Sequence, residues 1–316
     1  MKSLDQNTNE SLPVGDLIEL IKGKAISSIR QVIMDGEFVS EITVEGSRFY
    51  LNEEEHSMLI SALIDQDLVI DKIPENSETL LIKEETSRFS SALWFDKILK
   101  QNITVAGLGG IGSYVVFMLS RMDVRSLTLY DPDKVETVNL SGQLYSKSQI
   151  GLYKANAIAD MIENYSDYYS VSALTKKLDT SSTITGITIC GFDNMKARKD
   201  AFKNWTDKVL ELPKERREEC LFIDGRLAAE EFQVFCIKGD DMDNIRRYEP
   251  YLFSDFEADP TVCSYKQTTF MANMIGSVIV NLFVNFIANK CNPLIDRDLP
   301  FYTEYNAETM YFKTIS

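Results

Sequence analysis

The sequence predicts an α/β protein built on a doubly wound, mostly parallel sheet, with a small α+β unit ahead of it. Three observations lead there. "NITVAG" (102–107) is a continuous apolar run that ends among glycines and passes at once into a helical pattern. Strand-like and helix-like segments alternate from that point, the order that sets parallel strands beside crossover helices. The first 85 residues lack this alternation and read as short strands with turn signals.

In the N-terminal unit, "AISSIRQVIMDGEFVSEITVEGSRFYL" (25–51) alternates enough for a meander, with turns at Asp35-Gly36 and Glu45-Gly46. "SMLISALI" (57–64) reads as a short helix, and "IPENSETLLIKEETS" (73–87) as a polar connection. These features divide the chain into 1–87 and 88–316. In the second part, residues 112–122 form a helix after the first strand, and "RSLTLYD" (125–131) is the next strand. "SQIGLYKANAIADMIENY" (148–165) has the helical period, "YYSVSAL" (168–174) and "TGITICGF" (185–192) are strands, and "NMKARKDAFKNWTDKVLEL" (194–212) is a long helix. "CLFIDGRL" (220–227) and "EFQVFCI" (231–237) are strands, 266–290 is a helix, and the C-terminal segment 300–315 is a hairpin around Asn306-Ala307.

The helix contains "FMANMIGSVIVNLFVNFIA" (270–288), apolar enough to suggest a membrane span. Its polar residues Asn273, Ser277, Asn281 and Asn285 recur every four positions and form one stripe, as on a core helix with one wetted edge. The N-terminus is polar and carries no signal-peptide pattern, so a cytoplasmic protein without a membrane segment is expected.

Charge narrows the function. The net charge is −15, from 33 basic and 48 acidic residues, and residues 1–88 alone carry 18 Asp/Glu against 8 Lys/Arg. Such a surface repels phosphate backbones and anionic lipid, which disfavours nucleic acid as a partner. The acidic N-terminal unit is either a solvated face or a dock for a basic partner. Five cysteines (Cys190, Cys220, Cys236, Cys263, Cys291) form no CxxC pair, which indicates a reducing compartment and no structural zinc. His56 is the only histidine, within an acidic run, so a Ser-His-Asp triad is not expected.

Gly107, Gly109 and Gly112 fit GxGxxG between a strand and a helix, with Asp131 at the tip of the next strand, 24 residues past Gly107. Glycines let backbone approach a phosphate, helix N–H groups face the anion, and the acid suits a ribose hydroxyl. The alternative is a merely structural turn. The fingerprint does not separate a nicotinamide cofactor from ATP.

The residues downstream do. Gly107-Leu-Gly109-Gly110-Ile-Gly112-Ser113, Asp131-Pro-Asp133-Lys-Val135, Asn139-Leu140-Ser-Gly-Gln143, Ile150-Gly151-Leu-Tyr-Lys154-Ala155 and Asp193-Asn194 follow one another in order. This series resembles that of the E1-like adenylyltransferases, which include the ThiF and MoeB proteins and the ubiquitin-activating enzymes, over residues 88–290. The first 85 residues have no counterpart in those motifs.

The resemblance implies a Rossmann-like ATP-binding domain. It implies adenylation of the C-terminal carboxylate of a ubiquitin-like or sulfur-carrier protein or peptide, with ATP and Mg²⁺, in a homodimer. Gly107, Gly109, Gly110, Gly112, Asp131, Asp133, Asn139, Gln143 and Lys154 would then bind the nucleotide. Asp131 would hold the ribose, Lys154 would neutralise phosphate charge, and Asp193 would bind Mg²⁺. Arg198 matches the arginine that follows the family's TDN motif. Attack of a carboxylate on a phosphate needs charge and alignment more than an acid or base, which suits a chain with one histidine.

The chain departs from the family at two arginines. NLxRQ reads "NLSGQ", with Gly142 at the arginine position, and RYxRQ looks like "RFSSA", with Ser91 at its second arginine. Arg226 and Arg121 are candidate replacements, and Arg226 with Arg198 forms the expected substrate side. Cys263 precedes the long helix, and Gly276-Ser277 on that helix resembles the family's Gly-Ser pair. Cys263 is either a thioester-forming nucleophile, its thiol activated by the helix N-terminus and Lys266, or a small buried hydrophobe.

The expected activity is therefore adenylation of a protein or peptide C-terminus. The alternative is a catalytically reduced ThiF-like pseudo-enzyme that serves as an interaction platform. An NAD(P) oxidoreductase would leave Asp193-Asn194 unexplained, and a tRNA-modifying relative would conflict with the acidic charge.

Overall fold

The computed structural model describes residues 2–3, 26–34, 37–44, 47–51, 55, 59, 88–89, 92–165, 170–253, 267–291 and 296–316. The chain divides into two compact units, Met1–Ala92 and Leu93–Ser316.

The first unit holds strands β1 (Lys2–Ser3), β2 (Ile26–Met34), β3 (Glu37–Val44) and β4 (Ser47–Leu51) in an antiparallel sheet of order β1-β4-β3-β2. Met34 pairs with Glu37 and Val44 with Ser47, and the Asp35-Gly36 and Glu45-Gly46 pairs that the sequence marks as turns lie outside the described residues. Ile42 faces Phe49 across β3 and β4, and both are buried. The expected connection at 73–87 lies outside the described residues, as does most of the expected helix at 57–64, of which only the buried Leu59 is described.

The second unit is an eight-stranded sheet: β5 (Asn102–Ala106), β6 (Ser126–Tyr130), β7 (Ser170–Leu174), β8 (Ile187–Cys190), β9 (Leu221–Ala228), β10 (Glu231–Lys238), β11 (Tyr302–Asn306) and β12 (Tyr311–Ile315). Their order is β12-β11-β10-β9-β8-β5-β6-β7. The pairings from β7 through β9 are parallel, and those from β9 through β12 are antiparallel. The change of direction has a local cause: no crossover helix separates β9 from β10, so the chain returns through a tight turn with Ala229 at φ 53°. The expectation of a mostly parallel α/β sheet therefore holds: four of the seven pairings of this sheet are parallel, and they include the strands that carry the glycine loop.

The helices are α1 (Phe95–Leu99), α2 (Gly110–Arg121), α3 (Lys154–Ile162), α4 (Met195–Glu211), α5 (Lys214–Arg217), α6 (Met242–Tyr248) and α7 (Thr269–Asn289). Aliphatic residues from α2, α3 and α7, among them Val115, Leu119, Ile158, Ile275 and Ile279, bury one face of the sheet. An aromatic layer of Phe202, Trp205, Phe222, Phe235 and Tyr248 buries the other. The segment from Ser148 does not enter a helix at once. Lys147–Gln149 is a 3-10 turn, Gly151 takes φ 90°, and α3 begins only at Lys154.

Helix α7 is long and apolar enough to cross a membrane, yet 61% of its most apolar window is buried inside the protein. Asn273, Ser277 and Asn281 are exposed and Asn285 is half-buried, which is the wetted stripe the sequence spacing marks. Gly276 sits where α7 crosses α2. A Cβ there would come within 3.0 Å of Met118 Cε and 3.1 Å of Tyr114 Cβ. Gly276→Val should therefore force the two helices apart and cost about 1–3 kcal/mol. Urea denaturation would measure this, and an unchanged midpoint would contradict the close crossing.

Candidate functional site

The strand order reverses at β5. The chain builds β5, β6 and β7 outward in one direction, then crosses to lay β8 and β9 on the other side. Loops leaving the C-terminal ends of β5, β6 and β8 thus converge on one edge, with a crevice between β5 and β8, where ligands of open α/β sheets bind. The glycine loop after β5, Asp131 and Asp133 after β6, and Asp193-Asn194 after β8 all lie on that edge.

The glycine loop is folded tightly onto its neighbours. Gly107 takes φ 82°, and a Cβ there would stand 2.7 Å from the carbonyl oxygen of Gly191. A Cβ on Gly112 would run into the carbonyl oxygen of Gly107, so α2 lies directly against the loop. Leu108 is gripped at both backbone groups. Its N–H donates to Asp131 Oδ2 at 2.8 Å, and its carbonyl accepts from the Tyr145 hydroxyl at 2.6 Å.

Asp131 is buried and accepts a second bond at Oδ1 from the N–H of Asp133, 2.8 Å. Burial pushes its pKa up, against the opposing pull of Lys154 and the two backbone donors. Lys154 opens α3, and its backbone N–H donates to the Asp133 carbonyl at 2.9 Å. Its buried Nζ reaches the exposed Asp133 carboxylate at 3.2 Å. Two motifs separated in sequence are thereby joined, and the lysine's charge stands beside Asp131.

Asn139 has a structural duty. Its Oδ1 accepts from the Glu136 N–H at 2.8 Å and closes a capping box on the 3-10 turn Thr137–Ser141. Gln143 lies near Gly109, and its Oε1 is buried without a hydrogen-bond partner. Asp193 is exposed and accepts from Asn194 Nδ2 at 3.1 Å, while Asn194 Oδ1 caps α4 through the Ala197 N–H.

The two arginines expected on the substrate side are committed inside the protein. Arg198 donates through Nε to Asp224 Oδ1 at 3.0 Å and through Nη2 to the carbonyls of Phe192 and Gly225. Arg226 donates to Asp224 Oδ2 at 2.8 Å, the Tyr251 carbonyl and the Tyr248 hydroxyl, and stacks over the Phe235 ring. Asp224 is fully buried and also accepts from the Tyr248 hydroxyl. Arg198 consequently braces the loop that presents Asp193, whereas Lys196 and Lys199 on the same helix stay exposed.

Arg121 does not reach the site either. It ends α2, roughly 16 Å from the glycine loop at the helical rise, and lies over the Tyr165 ring.

Ser91, Cys263 and Lys266 lie outside the described residues. Burial pushes the thiols of Cys190, Cys220 and Cys236 up, that of Cys236 to about 12, so these three are poor nucleophiles. No group of three or more potential metal ligands occurs among the described residues.

Sequence reasoning missed Tyr145, Asp224 and Gln267, which the structure brings to this edge. Asp224 had a signal, an acid inside the apolar run "LFIDG", since a buried acid needs a partner. Tyr145 and Gln267 had none.

The model of the ThiF family matches residues 85–316. Ubiquitin-like modifier-activating enzyme 5 of Bombyx mori is 31% identical over 86 residues, 27% of this chain and 22% of that protein. The enzyme of the same name from Caenorhabditis elegans is 38% identical over 68 residues, 22% and 16% respectively. The chain thus spans about a fifth of the length of these curated relatives.

Among solved structures, PaaA superposes with a TM-score of 0.57 at 14% identity, covering 90% of this chain and 97% of that one. E. coli MccB, in a structure with AMPCPP and MccA, gives a TM-score of 0.51 at 14% identity, covering 92% and 96%.

The raised pKa of Asp131 has a consequence in pH. A carboxyl that holds its proton more tightly when folded contributes less stability as pH climbs from 3.8 through its folded midpoint. Carbon-13 NMR should find the Asp131 carboxyl titrating above 3.8, and higher still in Lys154→Met. A midpoint at or below 3.8 would contradict the buried placement.

Proposed function

The chain belongs to the ThiF family, and from that premise we propose that it is an ATP-dependent adenylyltransferase acting on the C-terminal carboxylate of a small ubiquitin-like or sulfur-carrier protein or peptide. The observation that carries the proposal is the convergence of the glycine loop, Asp131 and Lys154 on one edge of the sheet at its reversal point.

The residues present suit a nucleotide. Glycines keep side chains out of the loop where the N–H groups of α2 begin. The buried, unpartnered Oε1 of Gln143 beside Gly109 wants a donor such as a ribose hydroxyl or an adenine amine. The Asp131 carboxylate uses one lone pair on each oxygen for Leu108 and Asp133, and the others remain for ribose hydroxyls.

ATP, when bound, would supply the α-phosphorus that a substrate carboxylate attacks, the bond to the β-phosphate breaking as pyrophosphate leaves with its electron pair. This chain's residues orient the reactants and balance charge. Lys154 brings a positive charge that Asp133 holds in readiness. Asp193 would offer its exposed carboxylate to Mg²⁺, a hard cation that would balance phosphate charge there. No histidine or other general base is required.

The substrate class draws support from two sources. The matching relatives are named as activators of a ubiquitin-like modifier, and MccB is described in structures with ATP and with MccA. A homodimer in the cytoplasm, without nucleic acid or membrane, belongs to the same proposal. So does a thioester step on Cys263, which lies outside the described residues.

The engagement of Arg198 and Arg226 by Asp224 favours a second reading, a nucleotide-binding interaction platform that has lost turnover. Pyrophosphate exchange separates the two. With ATP, Mg²⁺ and a carrier ending in Gly-Gly, or a peptide substrate, the protein should exchange labelled pyrophosphate into ATP. Lys154→Ala and Asp193→Ala should each lower the rate about 100-fold or more. Tight ATP binding without exchange for any carrier or peptide would sink the enzyme reading in favour of the platform.

A further inference from the structure

Gly142 stands where the family's NLxRQ motif has an arginine, and neither Arg121 nor Arg226 can replace it. The space beside Gly142 is filled by the side chain of Gln267. A Cβ built on Gly142 would stand 2.9 Å from Gln267 Nε2 and 3.0 Å from its Cγ. A Cβ built on Gly110, the first residue of α2, would run into Gln267 Oε1. The side-chain amide is therefore wedged between the start of the glycine-loop helix and position 142.

The wedge is held from both sides. Gln267 pairs as an isolated parallel bridge with Ala229 at the β9–β10 turn. Two residues on, the Thr269 hydroxyl donates to the carbonyl of Ser141, next to Gly142, and Thr268 caps α7. The segment 267–269 is thus fastened across the motif that lost its arginine. Among the described residues the Gln267 amide has no hydrogen-bond partner, and the residue is half-exposed. Its Oε1 lies closest to Gly110 and its Nε2 closest to Gly142, so the donor stands at the position of the missing arginine, beside a helix N-terminus of the kind that binds anions.

Resting on the nucleotide-binding reading above, we infer that Gln267 takes over the task of the missing arginine: its side-chain amide donates to the phosphates of the nucleoside triphosphate. Gly142 and Gln267 form a matched pair, in which the absence of a side chain at one position makes room for the amide of the other. The exchange replaces a charged contact by a neutral one and keeps a donor beside position 142. Gln267 is then a binding residue contributed by the segment ahead of α7, far in sequence from the motifs that build the rest of the site.

Two measurements test this. The first needs no nucleotide. Gly142→Ala should lower the thermal midpoint, and at least half of that loss should vanish when Gln267→Ala is also present. Additive losses would overturn the pairing.

The second is calorimetry with Mg-ATP and with AMP. Gln267→Ala should weaken ATP binding about tenfold, and Gln267→Glu should weaken it further, since a carboxylate repels the phosphates. AMP binding should change less than twofold in Gln267→Ala. ATP affinity that is unchanged or tighter in Gln267→Ala would overturn the inference alone. A wild-type protein that binds no nucleotide would remove both this inference and the adenylyltransferase reading.

Discussion

The carboxylate of Asp131 is the constraint on which the site's geometry depends. One oxygen holds the N–H of Leu108 in the glycine loop, and the other holds the N–H of Asp133 in the following loop. A buried carboxylate is costly unless its lone pairs are used. Here they tie the ends of two adjacent parallel strands together. From that tie the order of the rest follows: Leu108 is fixed for Tyr145 to grip, and Asp133 is fixed for Lys154 to meet. The loop's shape is thus set by the protein itself, which lowers the entropy a ligand must remove on binding.

Charge at the sheet's edge is arranged in two separate sets. Lys154 with Asp131 and Asp133 serves the β6 side, and Arg198 with Asp224 and Arg226 serves the β8–β9 side. In the second set Arg198 and Asp224 are buried, Arg226 is half-buried, and Arg198 holds the Phe192 carbonyl of the loop that carries Asp193. Breaking such a set by removing one partner costs about 3–5 kcal/mol, so its value lies in holding a single arrangement. In a chain of net charge −15, the proposed triphosphate site would rely on helix N–H groups and few cations.

The α/β class, the glycine loop, Asp131 and the family membership were legible in the sequence, because each is a local signal: a change of hydrophobic period, a glycine spacing, an acid at a strand tip. The polar stripe of α7 was legible for the same reason. What was not legible depends on contacts between distant segments. Arg198 could be placed after Asp193 by spacing, yet its inward direction appears only once Asp224 arrives on β9. Gln267 gives no signal of its own, because its role exists only beside Gly110 and Gly142. The C-terminal hairpin of β11 and β12 was legible from its turn, but the antiparallel direction of β10 was hidden because single apolar strands look alike whichever way their neighbours run.

The central claim, that this edge of the sheet seats a nucleotide, is tested most directly by hydrogen exchange with mass spectrometry on the intact protein, with and without Mg-ATP. The account predicts added protection in residues 107–113, 131–145 and 191–194, the three loops that meet at the reversal of the sheet. Protection confined to other segments, or none at saturating ATP, would contradict it.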